Sequence, residues 1–316
     1  MPTLAAKKKT TRRTRPAKSA EWSRRKAAGF KLLEAPAFSR LNWLVHGFST
    51  RPGGTSELKL NAAGVQPAEK VLNLGFTEWD TSARVLENRA KFFAALGAKK
   101  MRVAALQQIH SDIVHLVDST AAATPPKADA LITQERGALL VIQTADCVPI
   151  LLADTKRHAV AAIHAGWRGT LQRIAAKTLG RMQMEFGTRP QDVIAALGPG
   201  IGQCCYEVGP EVAKEFAAKF PNASDWFTGP FDALARGEND PAWLPWLTMM
   251  PPGHQPPPPR VQLDLIAANR AILAAAGVAS MKIFSSGLCT ACRPDLFFSY
   301  RRERNTGRMM AAIGLV

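Results

Sequence analysis

Long apolar runs are missing from this 316-residue sequence. No stretch is long enough to cross a bilayer, and no secretory signal is visible, so the expectation is a cytoplasmic protein with no membrane partner. Cysteine is scarce and odd in number: Cys147, Cys204, Cys205, Cys289 and Cys292 argue against a disulfide framework and for a reducing compartment. Acidic residues are almost absent from the start of the chain. Glu21 stands alone among ten basic residues between Met1 and Gly29, and over half of the formal net charge of +16 belongs to this arm. With few large apolar residues it cannot offset its own ordering entropy. Residues 1–29 are therefore expected to be a disordered basic arm, with nucleic-acid contact, an anionic surface or a transit role as alternatives.

The rest of the chain is rich in apolar residues, 47% over the whole sequence, enough for a sizeable core. Residues 30–316 are expected to form a single catalytic domain, interrupted at about 221–259 by a proline-rich insertion carrying Trp226, Trp243 and Trp246. The spacing of Val85, Leu86, Ala90, Phe93 and Leu96 predicts a helix capped by Thr81 or Ser82 and stopped at Gly97. Further helices are expected from Thr170, from Pro210 and over "DLIAANRAILAAAG", and strands over 43–48, "RVAALQQI", "DIVHLVD", "DVIAAL", "MKIFSS" and "AAIGLV". Between them "DALITQERGALLVIQTADCVPILLADTKRHAVAAIHAGWRG" holds three or four Val/Ile/Leu-rich strands. Mixed strands and helices around a large sheet system make the fold α/β or α+β.

Pairing "VPILLAD" with "HAVAAIH" through a two-residue turn at Thr155 and Lys156 places Cys147 directly opposite His164, with Cβ atoms about 5 Å apart. Such a pair suits a metal ion, a thiolate nucleophile with its base, or a structural contact. A catalytic metal needs a third ligand. His110, at the end of an apolar strand, is the candidate, with His115 as its rival. Two glycine loops, "STRPGG" with Arg51 and "GWRGT" with Arg168, offer anion contacts, and "SYRRERNTGR" offers Arg301, Arg302, Arg304 and Arg308 for a substrate groove or a cap on the sheet. "GPGIGQC" lacks the G-x-G-x-x-G spacing of a dinucleotide loop. "CTAC" has zinc-ribbon spacing but no second C-x-x-C, and is read as neither a metal nor a redox pair.

In order along the chain, "HGFSTRPGG", "LNLG", "ENR", "QQIHSDIV", "DALIT", "TADCVPILLAD", "IHAGWRGT", "GPGIGQCCYEVG", "CT" and "FFSYRRERNTGR" resemble the YfiH-like, laccase-domain family. The likeness runs from about Trp43 to Val316, apart from the proline-rich insertion. It implies a layered α-β-β-α sandwich related to cytotoxic-necrotising-factor catalytic domains. It also implies a zinc site made by His110, Cys147 and His164, copper being the less favoured metal. Phosphorolysis of adenosine, inosine or methylthioadenosine and deamination of adenosine are the implied reactions, with purine nucleosides and phosphate as the small-molecule partners. On that reading Asp146 is a proton carrier beside the metal, and Arg51 and Arg168 bind phosphate and act with Cys147 and Asp146 in catalysis. The alternatives are a Cys147-dependent amidase editing cell-wall precursors, copper-dependent polyphenol oxidation, and nucleic-acid binding through the arm.

Overall fold

The computed structural model of the protein describes residues 22–27, 29–58, 69–119, 124–229 and 261–316. Two six-stranded sheets form its centre. The first runs β1 (Ser23–Ala27), β2 (Phe30–Glu34), β3 (Leu44–Ser49), β17 (Met309–Leu315), β9 (Ala138–Thr144), β6 (Arg102–Ala104). The second runs β16 (Ile283–Ser285), β12 (Val193–Leu197), β10 (Val148–Asp154), β11 (Ala159–Ala165), β8 (Ala130–Thr133), β7 (Val114–Leu116). A two-stranded sheet of β4 (Pro52–Leu58) and β5 (Glu69–Val71) and a three-stranded sheet ordered β13 (Glu207–Val208), β15 (Val261–Leu263), β14 (Phe227–Thr228) lie outside them.

The layering follows from alternation along strands whose two faces are both buried. In β10, Val148, Ile150 and Leu152 face a helical layer while Leu151 and Ala153 face the other sheet. β11 does the same with Ala161 and Ile163 against Val160 and Ala162. In the first sheet, Leu140 and Ile142 of β9 and Ala311 and Ile313 of β17 complete the core between the sheets. Their alternates Leu139, Val141, Met310 and Ala312 pack with Phe92 of α1 (Ser82–Ala95). The helical layer on the second sheet comprises α2 (Trp167–Leu171), α3 (Ile174–Phe186), α4 (Pro210–Lys219) and α5 (Leu265–Ala275); the one-turn α6 (Tyr300–Glu303) comes later, before β17. The architecture is the expected α-β-β-α sandwich. Among the described residues no helix is long and apolar enough to cross a membrane.

Several local expectations are corrected. The helix expected from Thr170 starts earlier and is broken, because Arg173 adopts φ 61 between α2 and α3. Only three residues of "RVAALQQI" and three of "DIVHLVD" are strand. The hairpin of β10 and β11 closes through four residues, 155–158, and not two. One Asp154 carboxylate oxygen accepts from the amides of Lys156 and Arg157, and His158 takes φ 49, so the side chain builds a wider turn. The end of the basic arm is ordered as β1, which pairs residue for residue with β2. Residues 1–21 lie outside the described residues, as does the proline-rich insertion beyond Gly229.

Candidate metal and substrate site

Three connections cross between the central sheets at one end of the sandwich: the one from β16 to β17 carries Tyr300, Arg301 and Arg308, and two more deliver candidate metal ligands. The chain leaves β9 at Thr144, crosses in three residues through Asp146 and Cys147, and enters the second sheet at Val148. The other connection runs from β6 to β7 and carries His110. Both crossings bend sharply: His110 has φ 57 and Asp146 φ 93, in the sparsely populated left-handed region that functional sites tend to hold. His164 is supplied by the end of β11, on the strand face shared with Val160 and Ala162.

The expected register between Cys147 and His164 is corrected by two positions. Pro149 pairs with His164 and Val148 with Ala165, so the residue opposite Cys147 is Gly166. An even slip preserves the face, which is why the two side chains still meet. Gly166 makes that meeting possible: a Cβ there would lie 3.0 Å from both Cys147 Sγ and His110 Nδ1. One donor atom each from His110, Cys147 and His164 fall within 4.8 Å of one another. The imidazoles of His110 and His164 meet edge to face, with centroids 4.8 Å apart. His115, the rival, lies within β7 outside this group.

Beneath the three donors lies a residue that sequence reasoning missed. Asp129 precedes β8, whose pairing with β11 sets it beside His164. Its fully buried carboxylate contacts His164 Nδ1 at 2.8 Å and accepts from the amides of His110 and Ser111 and from the Ser111 hydroxyl. With Nδ1 donating to Asp129, His164 presents the Nε2 lone pair. The signal available in the sequence was "DALIT", an aspartate set before a wholly buried strand.

The electrostatics follow from this packing. Burial opposes ionisation of Asp129, but hydrogen bonds from His164 and Ser111 outweigh it and hold the carboxyl at about 2. Burial opposes the Cys147 thiolate as well, yet the charge of His164 and hydrogen bonds from both histidines bring the thiol down to about 6. Burial disfavours the His164 imidazolium, and the facing Cys147 thiolate and Asp129 raise it to about 9. Both shifts run in the direction that favours a thiolate facing an imidazolium when no cation is bound.

These donors open into a cavity of about 730 Å³, within the size range of small-molecule sites. Trp167, Tyr206 and Tyr300 give it aromatic walls, Gln108 and Gln143 add polar groups, and Arg301 and Arg308 add positive charge. Arg301 also lies over the Tyr206 ring, 5.2 Å from its centroid. Arg302 and Arg304 of the same run do not line it.

The remaining expected residues are placed differently. Arg51 is buried, ion-paired with Glu69 at 2.8 Å and with Glu303, and set over the Phe298 ring; it does not line the cavity. Arg168 is exposed, its guanidinium 4.5 Å from the Trp167 ring centroid, and it does not line the cavity. Asp146 lines the cavity, but Thr290 Oγ1 donates to one of its carboxylate oxygens and the Arg301 amide to the other, each at 2.6 Å.

Residues 45–316 match the family described as multi-copper polyphenol oxidoreductase laccase. The chain is 39% identical over 293 residues to a protein of Deinococcus radiodurans named purine nucleoside phosphorylase, covering 92% of this chain and 94% of that one. It is 34% identical over 243 residues to adenosine deaminase RL5 of an unknown prokaryotic organism, covering 74% and 83% of the two chains. The crystal structure of Bacillus licheniformis hypothetical protein YfiH superposes with a TM-score of 0.75 at 29% identity, covering 93% of this chain and 99% of that one.

Proposed function

The chain belongs to the YfiH-like, laccase-domain family, and from that membership we propose that it is a zinc-dependent purine nucleoside enzyme whose main reaction is phosphorolysis. The observation carrying this reading is the convergence of His110, Cys147 and His164 at a cavity with aromatic walls and two arginines. Two imidazoles and a thiolate are a donor set that suits Zn²⁺ with one position left open. The Gly166 cradle and the carboxylate behind His164 complete the fit. A cation held there would supply Lewis-acid polarisation of an oxygen ligand or water.

The chain's own residues do the rest. Arg301 and Arg308 hold phosphate against the ribose by charge-assisted hydrogen bonds, a role first expected of Arg51, whose charge is already spent on Glu69 and Glu303. Arg168 remains available beside Trp167. Trp167 and Tyr206 pack against the purine. Phosphate oxygen bonds to the anomeric carbon as the bond from that carbon to the purine nitrogen breaks. The purine leaves with the electron pair and takes up a proton from water. Asp146, engaged through both oxygens, acts as a positioning residue that fixes Arg301 and the Thr290 loop, in place of the proton carrier first expected.

Deamination of adenosine is the second reading, favoured by the relative that bears that name. Copper-dependent polyphenol oxidation ranks lower: two histidines and a cysteine also suit copper, but a blue-copper centre usually adds a weak axial ligand, often Met, and no methionine among the described residues lines the cavity. Among the described residues only His110 and His164 converge; His46 accepts from the Ala35 amide and His158 stacks on Trp43. A cysteine amidase would need only one of the two imidazoles. The test is product analysis of adenosine with phosphate. Adenine with ribose 1-phosphate supports phosphorolysis, inosine with ammonia supports deamination, and neither product from zinc-replete enzyme overturns the reading.

A further inference from the structure

The structure assigns a second metal centre to the chain: a zinc ion held by Cys204, Cys205, Cys289 and Cys292, separate from the histidine-containing site. The sequence spacing hides it, because Cys204 and Cys205 are adjacent and stand over eighty residues before the C-x-x-C pair. The fold supplies the missing proximity. A short 3₁₀ turn, Gln203–Cys205, presents the first two thiols. An isolated bridge between Gly200 and Cys289 brings the second pair alongside.

All four sulfurs lie within 4.8 Å of one another. Cys292 Sγ stands 3.4 Å from both Cys204 Sγ and Cys205 Sγ. A tetrahedral zinc with bonds of about 2.3 Å places its sulfurs about 3.8 Å apart, so the group already has the dimensions of a mononuclear tetrathiolate. Bonded disulfide sulfurs would be at about 2.05 Å. Room for the group again depends on a glycine, since a Cβ on Gly202 would meet Cys289 Cβ at 3.1 Å and Cys204 Sγ at 3.3 Å.

The surroundings suit a thiolate centre. Gly202 donates its amide to Cys289 Sγ at 3.2 Å, the outer contact that metal-bound thiolates use. Four thiolates around Zn²⁺ leave an excess of negative charge. Arg302 answers it, donating to the Ala291 carbonyl inside the C-T-A-C loop. Two of the sulfur-bearing residues, Cys204 and Cys292, are exposed, which gives the ion a path of entry.

The position also gives the ion a purpose. Tyr206, next to Cys205, forms a wall of the cavity, and Thr290, between Cys289 and Cys292, donates to Asp146 beside Cys147. An ion joining the two segments is a structural clamp on that wall. Closed sites with four cysteines are of the structural kind, whereas a three-ligand site keeps a position for reactants.

The test is elemental analysis and native mass spectrometry of the full chain purified with zinc, compared with Cys147→Ala and with the double variant Cys289→Ser and Cys292→Ser. We expect about two zinc ions per wild-type chain and about one in each variant. Cobalt substitution gives a readout that leaves the four cysteines intact. In Cys147→Ala the cobalt form should keep the intense sulfur-to-metal charge-transfer bands of a tetrathiolate. A single wild-type zinc that disappears in Cys147→Ala overturns the proposal, and so does cobalt-loaded Cys147→Ala without those bands. Disulfides among these cysteines, read as a mass deficit of two hydrogens per bond after denaturing alkylation, also overturn it.

Discussion

Replacing Asp129 with Asn keeps the shape of the side chain and removes the charge that meets His164 Nδ1 at 2.8 Å. Such outer partners of a ligating histidine fix its ring and its tautomer. Asp129→Asn should therefore weaken zinc binding about 10- to 100-fold, read by competition with a chromogenic chelator. Unchanged affinity would mean that the carboxylate only fills space. Cys147 gives a second prediction at this scale. In metal-free protein its thiol lies at about 6, so the reactive thiolate grows as pH rises through that value, well below the usual thiol range. Alkylation of the Cys147 peptide, followed by mass spectrometry, should be half-maximal near pH 6 without zinc and suppressed throughout with it. A midpoint near pH 8.5 would contradict the pairing with His164. Gly166→Ala tests the cradle: a Cβ 3.0 Å from Cys147 Sγ and His110 Nδ1 crowds both donors, and zinc content should fall while the melting curve of the metal-free protein changes little.

At the scale of elements, β10 and β11 show what the sequence makes legible. Their continuous apolar runs, bounded by polar turns, identify both strands and place a cysteine and a histidine at matching ends. The register is not legible to the residue. It depends on whether Asp154 caps a two-residue or a four-residue turn, a contest between local conformations that periodicity does not record. The error was even, so the face was right and the pair survived. The helical break at Arg173 is hidden for a similar reason, because a left-handed residue inside an amphipathic pattern leaves the pattern intact. Leu152, wholly buried on β10, tests how far the central strand carries stability. Leu152→Ala should cost about 2–5 kcal/mol in chemical denaturation while leaving zinc stoichiometry unchanged. A loss under 1 kcal/mol would place the main core elsewhere.

For the whole molecule, the site exists because three chain crossings and one strand end meet at the same edge of a two-sheet sandwich. Sequence motifs point to His110, Cys147 and His164 one at a time, and local reasoning finds them. It misses Asp129 and the four-cysteine group, and it misplaces Arg51, because those outcomes depend on which distant segments become neighbours. The α-β-β-α layering was implied by the family likeness, whereas the residues alone point only to mixed strands and helices around a large sheet system; the ordering of β1 was not legible, because a basic segment takes strand form only when β2 is there to pair with it. Residues 1–21, which precede that strand, hold seven basic residues and one acid. Removing them should abolish any salt-sensitive retention on duplex DNA and leave zinc content and nucleoside turnover as they were. Loss of turnover in the truncated chain would tie the arm to catalysis.

Anomalous scattering at the zinc edge, recorded on crystals of the full chain grown with zinc, tests the account at its centre. A peak about 2.0–2.3 Å from one atom each of His110, Cys147 and His164 is the predicted result. Those three side chains ordered around a position with no zinc signal would contradict it.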